Sequence, residues 1–365
     1  MLKEEVFIMI KHVYTEPAEV NFSKLEERLL QVNDVIARTN FQFSRRLPSL
    51  LRKIPTLIMA TGGSRASAEY LKMFLESKDI LCEVIEPRDY LYKQNISSYQ
   101  RFIVLSNSGK SNRMLDSLRT FPGEAMLITS EYVMQEEDYT WEGDRRVALF
   151  DTIYWSNGFY LDNKEKSFTS IVPTLGPNLM FLELELLLEE KKVELTKEDY
   201  KKINDKLKSL IWKSRERVER LDFDFKDTNL IQVASGYDTK SSSCILESNM
   251  IETGTTSVCI HDKGSYCHGR SNLLFQNPDS PMIYLAHQMK SFDQELIHLF
   301  MEEYPNIFLF HTLDEEQNIF WKEFYLSLQM YYLSKKIADD KKIDLTMPEY
   351  NPKIVKKMYK YKGEM

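Results

Sequence analysis

The chain has 365 residues, 43% hydrophobic and 12% aromatic, enough for two ordinary domains each with its own core. Forty-eight Lys and Arg against 55 Asp and Glu give a net charge of -7, which excludes a general nucleic-acid-binding surface but not small anions held by local donors. Four sparse cysteines, a start (MLKEEVFIMIKHVY) without signal-peptide features and no run near the roughly 18 apolar residues of a membrane span predict a cytoplasmic protein with reduced thiols and no membrane partner.

Residues 1–50 read as a helical lead-in, with leucines and isoleucines at helical spacing from residue 22 and a break at Pro48. From Thr56 short apolar runs alternate with longer periodic ones: TLIMA, SAEYLKMFLE, LCEVIE, RFIVLS, NRMLDSLRTF, AMLIT. That alternation predicts an α/β unit over residues 51–190, a parallel sheet flanked by helices. The charged stretch 191–225 keeps a helical stripe of leucine, isoleucine and tryptophan, so it reads as a long connecting helix whose charge runs form a solvated face. Residues 226–345 are expected to form a second α/β domain, and 346–365 a tail.

The second half repeats the first faintly. TLIMATGG (56–63) lines up with NLIQVASGY (229–237), placing Gly62 against Gly236, and VLSNSGKS (104–111) with YLAHQMKS (284–291). The later copy keeps the strand, the lysine and the final serine but has no Ser-Asn-Ser-Gly, so a duplicated unit with one ligand-holding copy is expected.

Ligands of parallel α/β sheets settle beyond the carboxyl ends of the strands, where helix N-termini and hydroxyls favour anions. Ser106, Asn107, Ser108 and Ser111 fit a phosphate cradle there, with Gly109 allowing close approach, and ATGGSRAS (60–67) brings Ser64 to a comparable position. The alternative is a turn with an N-cap, where serine and asparagine are favoured without any ligand. Neither loop matches the P-loop or the dinucleotide fingerprint.

The pair TGGSRASAEYLKMFLE and VLSNSGKSNRMLDSL resembles the sugar isomerase (SIS) domain, and the whole chain resembles a double-SIS protein, similar to the isomerase half of glucosamine 6-phosphate synthase and to fructosamine 6-phosphate deglycases. The resemblance implies an α/β fold of two SIS-type domains, each a mostly parallel sheet flanked by helices, joined by a long helix. It assigns phosphosugar binding to Ser64, Ser106, Asn107, Ser108, Gly109 and Ser111, and places Ser170 in the substrate site. Two departures stand out: Gly63 replaces a side-chain hydroxyl, and Ser170, Ile171 and Val172 replace the family's Ser-Thr-Lys.

Residues 243–270 combine a helix carrying Glu247 and Glu252 with a loop carrying His268. Moving a proton between neighbouring sugar carbons needs a carboxylate, and ring opening needs a second acid or base. By resemblance, Glu252 is the enolisation base and His268 the ring-opening residue, contributed across a homodimer interface. Arg270 stands where the family has proline and could add an anion contact. The tail EYNPKIVKKMYKYKG resembles the family's C-terminal Asn-Pro-Arg-x-Leu-x-Lys, which makes Lys357, beside Lys356, the carbonyl partner; a solvated lysine-rich tail is the alternative.

Cys259, His261, Cys267 and His268 offer potential zinc ligands, but their spacing matches no usual zinc pattern, and buried thiols with a helper histidine explain them equally well, so no metal is expected. His12, His287, His298 and His311 are isolated and receive no role. The aromatic segment 318–333 reads as a core or dimer-packing helix.

The expected ligand is a phosphorylated sugar or aminosugar, with isomerase or deglycase chemistry and no cofactor. The alternative is a non-catalytic phosphosugar or nucleotide-sugar sensor. Glutamine-dependent amidotransfer is not expected, because no glutaminase domain precedes the repeat.

Overall fold

The computed structural model describes residues 25, 27–31, 33, 48–107, 109, 112–130, 151–155, 169–312 and 316–346. The first half builds β1 (Thr56–Met59), α1 (Ser64–Glu76), β2 (Cys82–Ile85), α2 (Pro87–Tyr92), β3 (Arg101–Leu105), α3 (Asn112–Thr120), β4 (Glu124–Thr129) and β5 (Asp151–Tyr154). All strands are parallel, in the order β2-β1-β3-β4-β5. Every residue of β1 and β3 is buried, as expected for central strands covered on both faces, which is why, after Thr56 and Arg101, their sequences are apolar runs rather than alternating ones. The edge strand β5 has no counterpart among the apolar runs read from sequence.

Two long helices then intervene. α4 (Val172–Glu189) is buried along most of its length, and α5 (Lys197–Glu219) begins with a reciprocal capping box between Thr196 and Asp199. α5 buries Ile203, Leu207, Leu210, Ile211 and Val218 and leaves its charged residues outward, so the expected connecting helix with a solvated face is present.

The second half repeats the pattern with β6 (Leu230–Ser235), α6 (Lys240–Glu252), β7 (Ser257–Asp262), α7 (Asn272–Gln276), β8 (Met282–Ala286), α8 (Ser291–Glu303) and β9 (Ile307–His311), strand order β7-β6-β8-β9, again all parallel. Both sheets therefore share the arrangement in which the first and third strands are neighbours and their following loops diverge. The chain has the double-domain α/β fold expected for it.

The last described helix, α9 (Ile319–Lys341), is the aromatic segment. Asn318 caps it by accepting from the N–H groups of Phe320 (2.9 Å) and Trp321 (3.1 Å). It packs against α4, α5 and α6 and is a core helix. The expectation of separate cores needs correcting here: one continuous apolar cluster joins both halves through α1, α4, α6 and α9, with Phe74 stacked on Phe181 and edge-on to Phe320. Smaller clusters cover the outer faces of the two sheets. No helix among the described residues is long and apolar enough to cross a membrane.

Candidate functional site

Loops after β1 and β3 flank the point where the strand order reverses, the place where open parallel sheets hold ligands. After β1 the chain turns through Gly62, whose φ of +56° lies in the left-handed region, and Arg65 N–H bonds Gly62 O (2.9 Å) to start α1 at Ser64. Ser64 is half-buried in the first turn of that helix.

α6 runs antiparallel to α1. At one end Tyr237 OH donates to the Glu76 carboxylate, Ser241 Oγ in the first turn of α6 donates to Ala66 O (2.8 Å), and at the other end Glu252 Oε1 lies 2.9 Å from where a Cβ on Gly62 would stand. Gly62 is thus required for its dihedral, and its lack of a side chain leaves Glu252 room to approach. Beyond Glu252, Gly254 at φ +68° turns the chain away, with Gly254 N–H bonded to Ile251 O (3.1 Å) and Thr255 N–H to Met250 O (2.9 Å). Glu252 is left exposed at the helix end, its Oε1 accepting from Ser248 Oγ at 2.6 Å. Asn249, one turn earlier, points into the core, where its Nδ2 donates to Ser334 Oγ (3.1 Å).

Gly63 has a neighbour that sequence reasoning missed. The Thr174 hydroxyl stands 3.1 Å from where a Cβ on Gly63 would be, so the hydroxyl absent from the first loop is matched by one from the first turn of α4. Thr174 is held by Ser67 Oγ donating to its carbonyl (2.7 Å), and its own hydroxyl donates to Ser170 O (3.2 Å). Ser170 O also accepts from Tyr331 OH (2.7 Å). Ser170 therefore adjoins the first loop through Thr174, beside the N-terminus of α4.

In the second loop, Gly109 (φ +55°) closes a turn in which its N–H is shared by Ser106 O and Ser106 Oγ, each at 3.1 Å. The Ser106 hydroxyl accepts a hydrogen bond within the turn, as the turn alternative requires. The carbonyl of Asn107 accepts from Thr129 Oγ1 (3.1 Å), Ser130 N–H (3.2 Å) and Ser130 Oγ (2.7 Å), so the end of β4 braces this loop. Ser108 and Ser111 lie outside the described residues, as does Lys357.

His268 is not brought to Glu252. It sits exposed in the turn Tyr266–Arg270 beyond the C-terminal end of β7, whereas Glu252 precedes the N-terminal end of that strand. The six residues of β7 span about 20 Å, so the two side chains of one chain belong to opposite ends of the second sheet. Buried Tyr266 anchors the turn by donating to Gln232 Oε1 (3.2 Å), and Gly269 at φ +91° permits its reversal. Among the described residues no three His, Cys, Asp or Glu side chains gather as a metal would need. Burial lowers the pKa of His261, with Arg270 adding to the effect.

The loops of the second sheet carry a polar cluster that the sequence did not flag. His287, at the repeat position of Asn107, is buried with its Nε2 2.8 Å from Glu323 Oε2 and its Nδ1 3.6 Å from Asp238 Oδ2. Glu323 Oε1 accepts from Ser242 N–H at 2.6 Å, in the first turn of α6. The available signal was a lone glutamate inside the apolar run NIFWKEFYLSL.

No protein-family sequence model matches this chain, and no curated protein matches it by sequence. Solved structures do match, and they define a double-SIS type of α/β fold. A Clostridium difficile 630 protein assigned as a phosphosugar isomerase superposes with a TM-score of 0.67 at 15% identity, covering 93% of this chain and 98% of its own. The C-terminal domain of glucosamine-fructose-6-phosphate aminotransferase from Francisella tularensis gives 0.64 at 16%, covering 89% and 98%. Glucosamine-6-phosphate deaminase from Thermotoga maritima gives 0.58 at 16%, covering 88% and 97%. At these identities the likeness is one of fold, and it agrees with the resemblance carried by the two loops.

Proposed function

We propose that the chain binds a phosphorylated sugar or aminosugar at the loops after β1 and β3 and acts on it by aldose–ketose isomerase or aminosugar deglycase chemistry. The observation that carries this reading is the carboxylate of Glu252 pressed against Gly62, which places an acid from the second half beside the anion loop of the first. The structural neighbours that act on glucosamine and fructose phosphates support the ligand class.

In this reading the N-termini of α1 and α4, Ser64 and the loop 106–111 hold the phosphate. Glu252 takes the proton from C2 of the open-chain sugar and returns it to C1, while the hydroxyl proton passes from O2 to O1, so isomerisation balances without a further reactant. Release of an amine from a ketose imine would consume one water. Lys357 is the proposed carbonyl partner. The opposite placement of Glu252 and His268 within one chain supports a homodimer in which a second copy supplies the histidine. A cytoplasmic setting is part of the same proposal.

One observation favours a sensor instead: the Ser106 hydroxyl is engaged in the loop's own turn. A thermal-shift screen against sugar phosphates, followed by solvent proton exchange with wild type and Glu252→Gln, separates the two. Binding with exchange lost in Glu252→Gln supports the enzyme; binding in both proteins with exchange in neither leaves the sensor; no binding removes the phosphosugar reading.

A further inference from the structure

The second sheet reproduces the ligand-binding geometry of the first, and something already occupies it. β6 leads into α6 as β1 leads into α1, and β8 leads into the loop of His287 as β3 leads into that of Asn107. Between those two loops lies the carboxylate of Glu323, fully buried and reaching in from the first turns of α9. It takes one of the N–H groups that the first turn of α6 cannot satisfy internally, Ser242 N–H at 2.6 Å, and pairs with His287 Nε2 at 2.8 Å. The fixing continues along the same helix pair: Ser242 Oγ meets Ser327 Oγ at 3.3 Å and Asn249 Nδ2 donates to Ser334 Oγ. Thr312 Oγ1 holds the His287 carbonyl from the other side.

We propose that Glu323 is a built-in anion: its carboxylate fills the second domain's anion position and anchors α6, the helix whose other end delivers Glu252 to Gly62. The analogy to the first domain's phosphate rests on the function proposed above; the anchoring rests on the hydrogen bonds alone. Glu323 is on this account a positioning residue, and the second domain has no vacancy for a phosphosugar.

The test is chemical rescue in the full chain. Glu323→Ala removes the same heavy atoms that acetate carries, leaving Ser242 N–H and His287 Nε2 facing a carboxylate-sized gap. Loss of one member of a buried pair predicts a melting temperature lower by roughly 10 °C. Sodium acetate at about pH 7.5, where it is ionised, should recover about a third of that loss over sodium chloride of equal ionic strength, and should leave wild type unmoved. Glu323→Gln, which keeps the volume but not the charge, should melt below wild type and ignore acetate. If Glu323→Ala does not fold as expressed, it is refolded from denaturant in acetate and in chloride, and a higher yield in acetate supports the proposal. Equal behaviour in the two salts, or a Glu323→Gln variant as stable as wild type, overturns it. Neither readout involves a sugar, so failure here is distinct from failure of wild type to bind sugar phosphates.

Discussion

The loops of the first sheet and those of the second stand at equivalent places, yet they are finished differently. In the first, glycines at positive φ keep side chains away, Thr61 and Gly62 are exposed, and the acid nearby, Glu252, is exposed as well. In the second, Asp238, His287 and Glu323 crowd the same space, and Glu323 is wholly buried. On the proposed reading, a duplicated unit is stabilised with its anion position filled from within, so the copy with the more exposed loop is the one to read for function.

The largest test of that contrast is Glu252→Gln. If Glu252 is the base, exchange of the sugar's C2 proton falls by about 10²–10⁴-fold, while sugar-phosphate affinity changes by less than about threefold. Gly62→Ala comes next. It forces a left-handed φ on a residue with a Cβ, so a loss of about 1–2 kcal/mol in denaturant unfolding is expected, and the new Cβ, 2.9 Å from Glu252 Oε1, turns that carboxylate aside and weakens binding. The matched change in the second domain, Gly236→Ala, should cost less, under about 1 kcal/mol, because φ there is -99° and the close atom is the end of the Asp238 side chain, which can turn away. Equal losses at both glycines would erase the asymmetry.

Much of this fold was legible in the sequence because fully covered parallel strands are mostly apolar: LIM after Thr56 and FIVL after Arg101, each bounded by turn residues, read as two of them. The place of Gly62 was legible for the same reason, as the breaker after such a run. Contacts between elements distant in the chain were not. Nothing local in PTLGPN says that Thr174 supplies the hydroxyl missing at Gly63, and a histidine at position 287 looks isolated until α9 folds back to bring Glu323 against it. At Ser106 the sequence leaves both readings open, since a hydroxyl that closes a turn and one that faces a ligand have the same letter.

Glu183 gives the comparison a second form, between two buried acids. Glu323 has Ser242 and His287; Glu183 on α4 is equally enclosed, and among the described residues neither of its oxygens has a hydrogen-bond partner. Burial raises its pKa well above the ordinary carboxylate range. A carboxyl raised on folding contributes most stability below its unfolded pKa, and that contribution is lost as pH rises towards the folded pKa. Glu183→Gln, neutral at every pH, should therefore match wild type near pH 4.5, where the unfolded group titrates, and gain on it steadily as pH rises above that value. Urea unfolding at a series of pH values measures the divergence. A constant offset, or a Glu183→Gln protein less stable at pH 8, would mean that Glu183 has a partner there.

The smallest expected effect addresses the second loop itself. In the structure, Ser106 Oγ accepts only from Gly109 N–H among the bonds described, and that N–H keeps Ser106 O as a second acceptor at the same distance. Ser106→Ala should then cost no more than about 0.5–1 kcal/mol of stability. If the hydroxyl serves the turn alone, sugar-phosphate affinity should stay within about twofold of wild type. A tenfold loss of affinity, corresponding to about 1.4 kcal/mol, with that same small stability cost would show the hydroxyl leaving the turn to meet the phosphate. The hydrogen bond from Gly109 N–H would then exchange for one to the ligand, and the two halves would differ by one more exchangeable contact in the first.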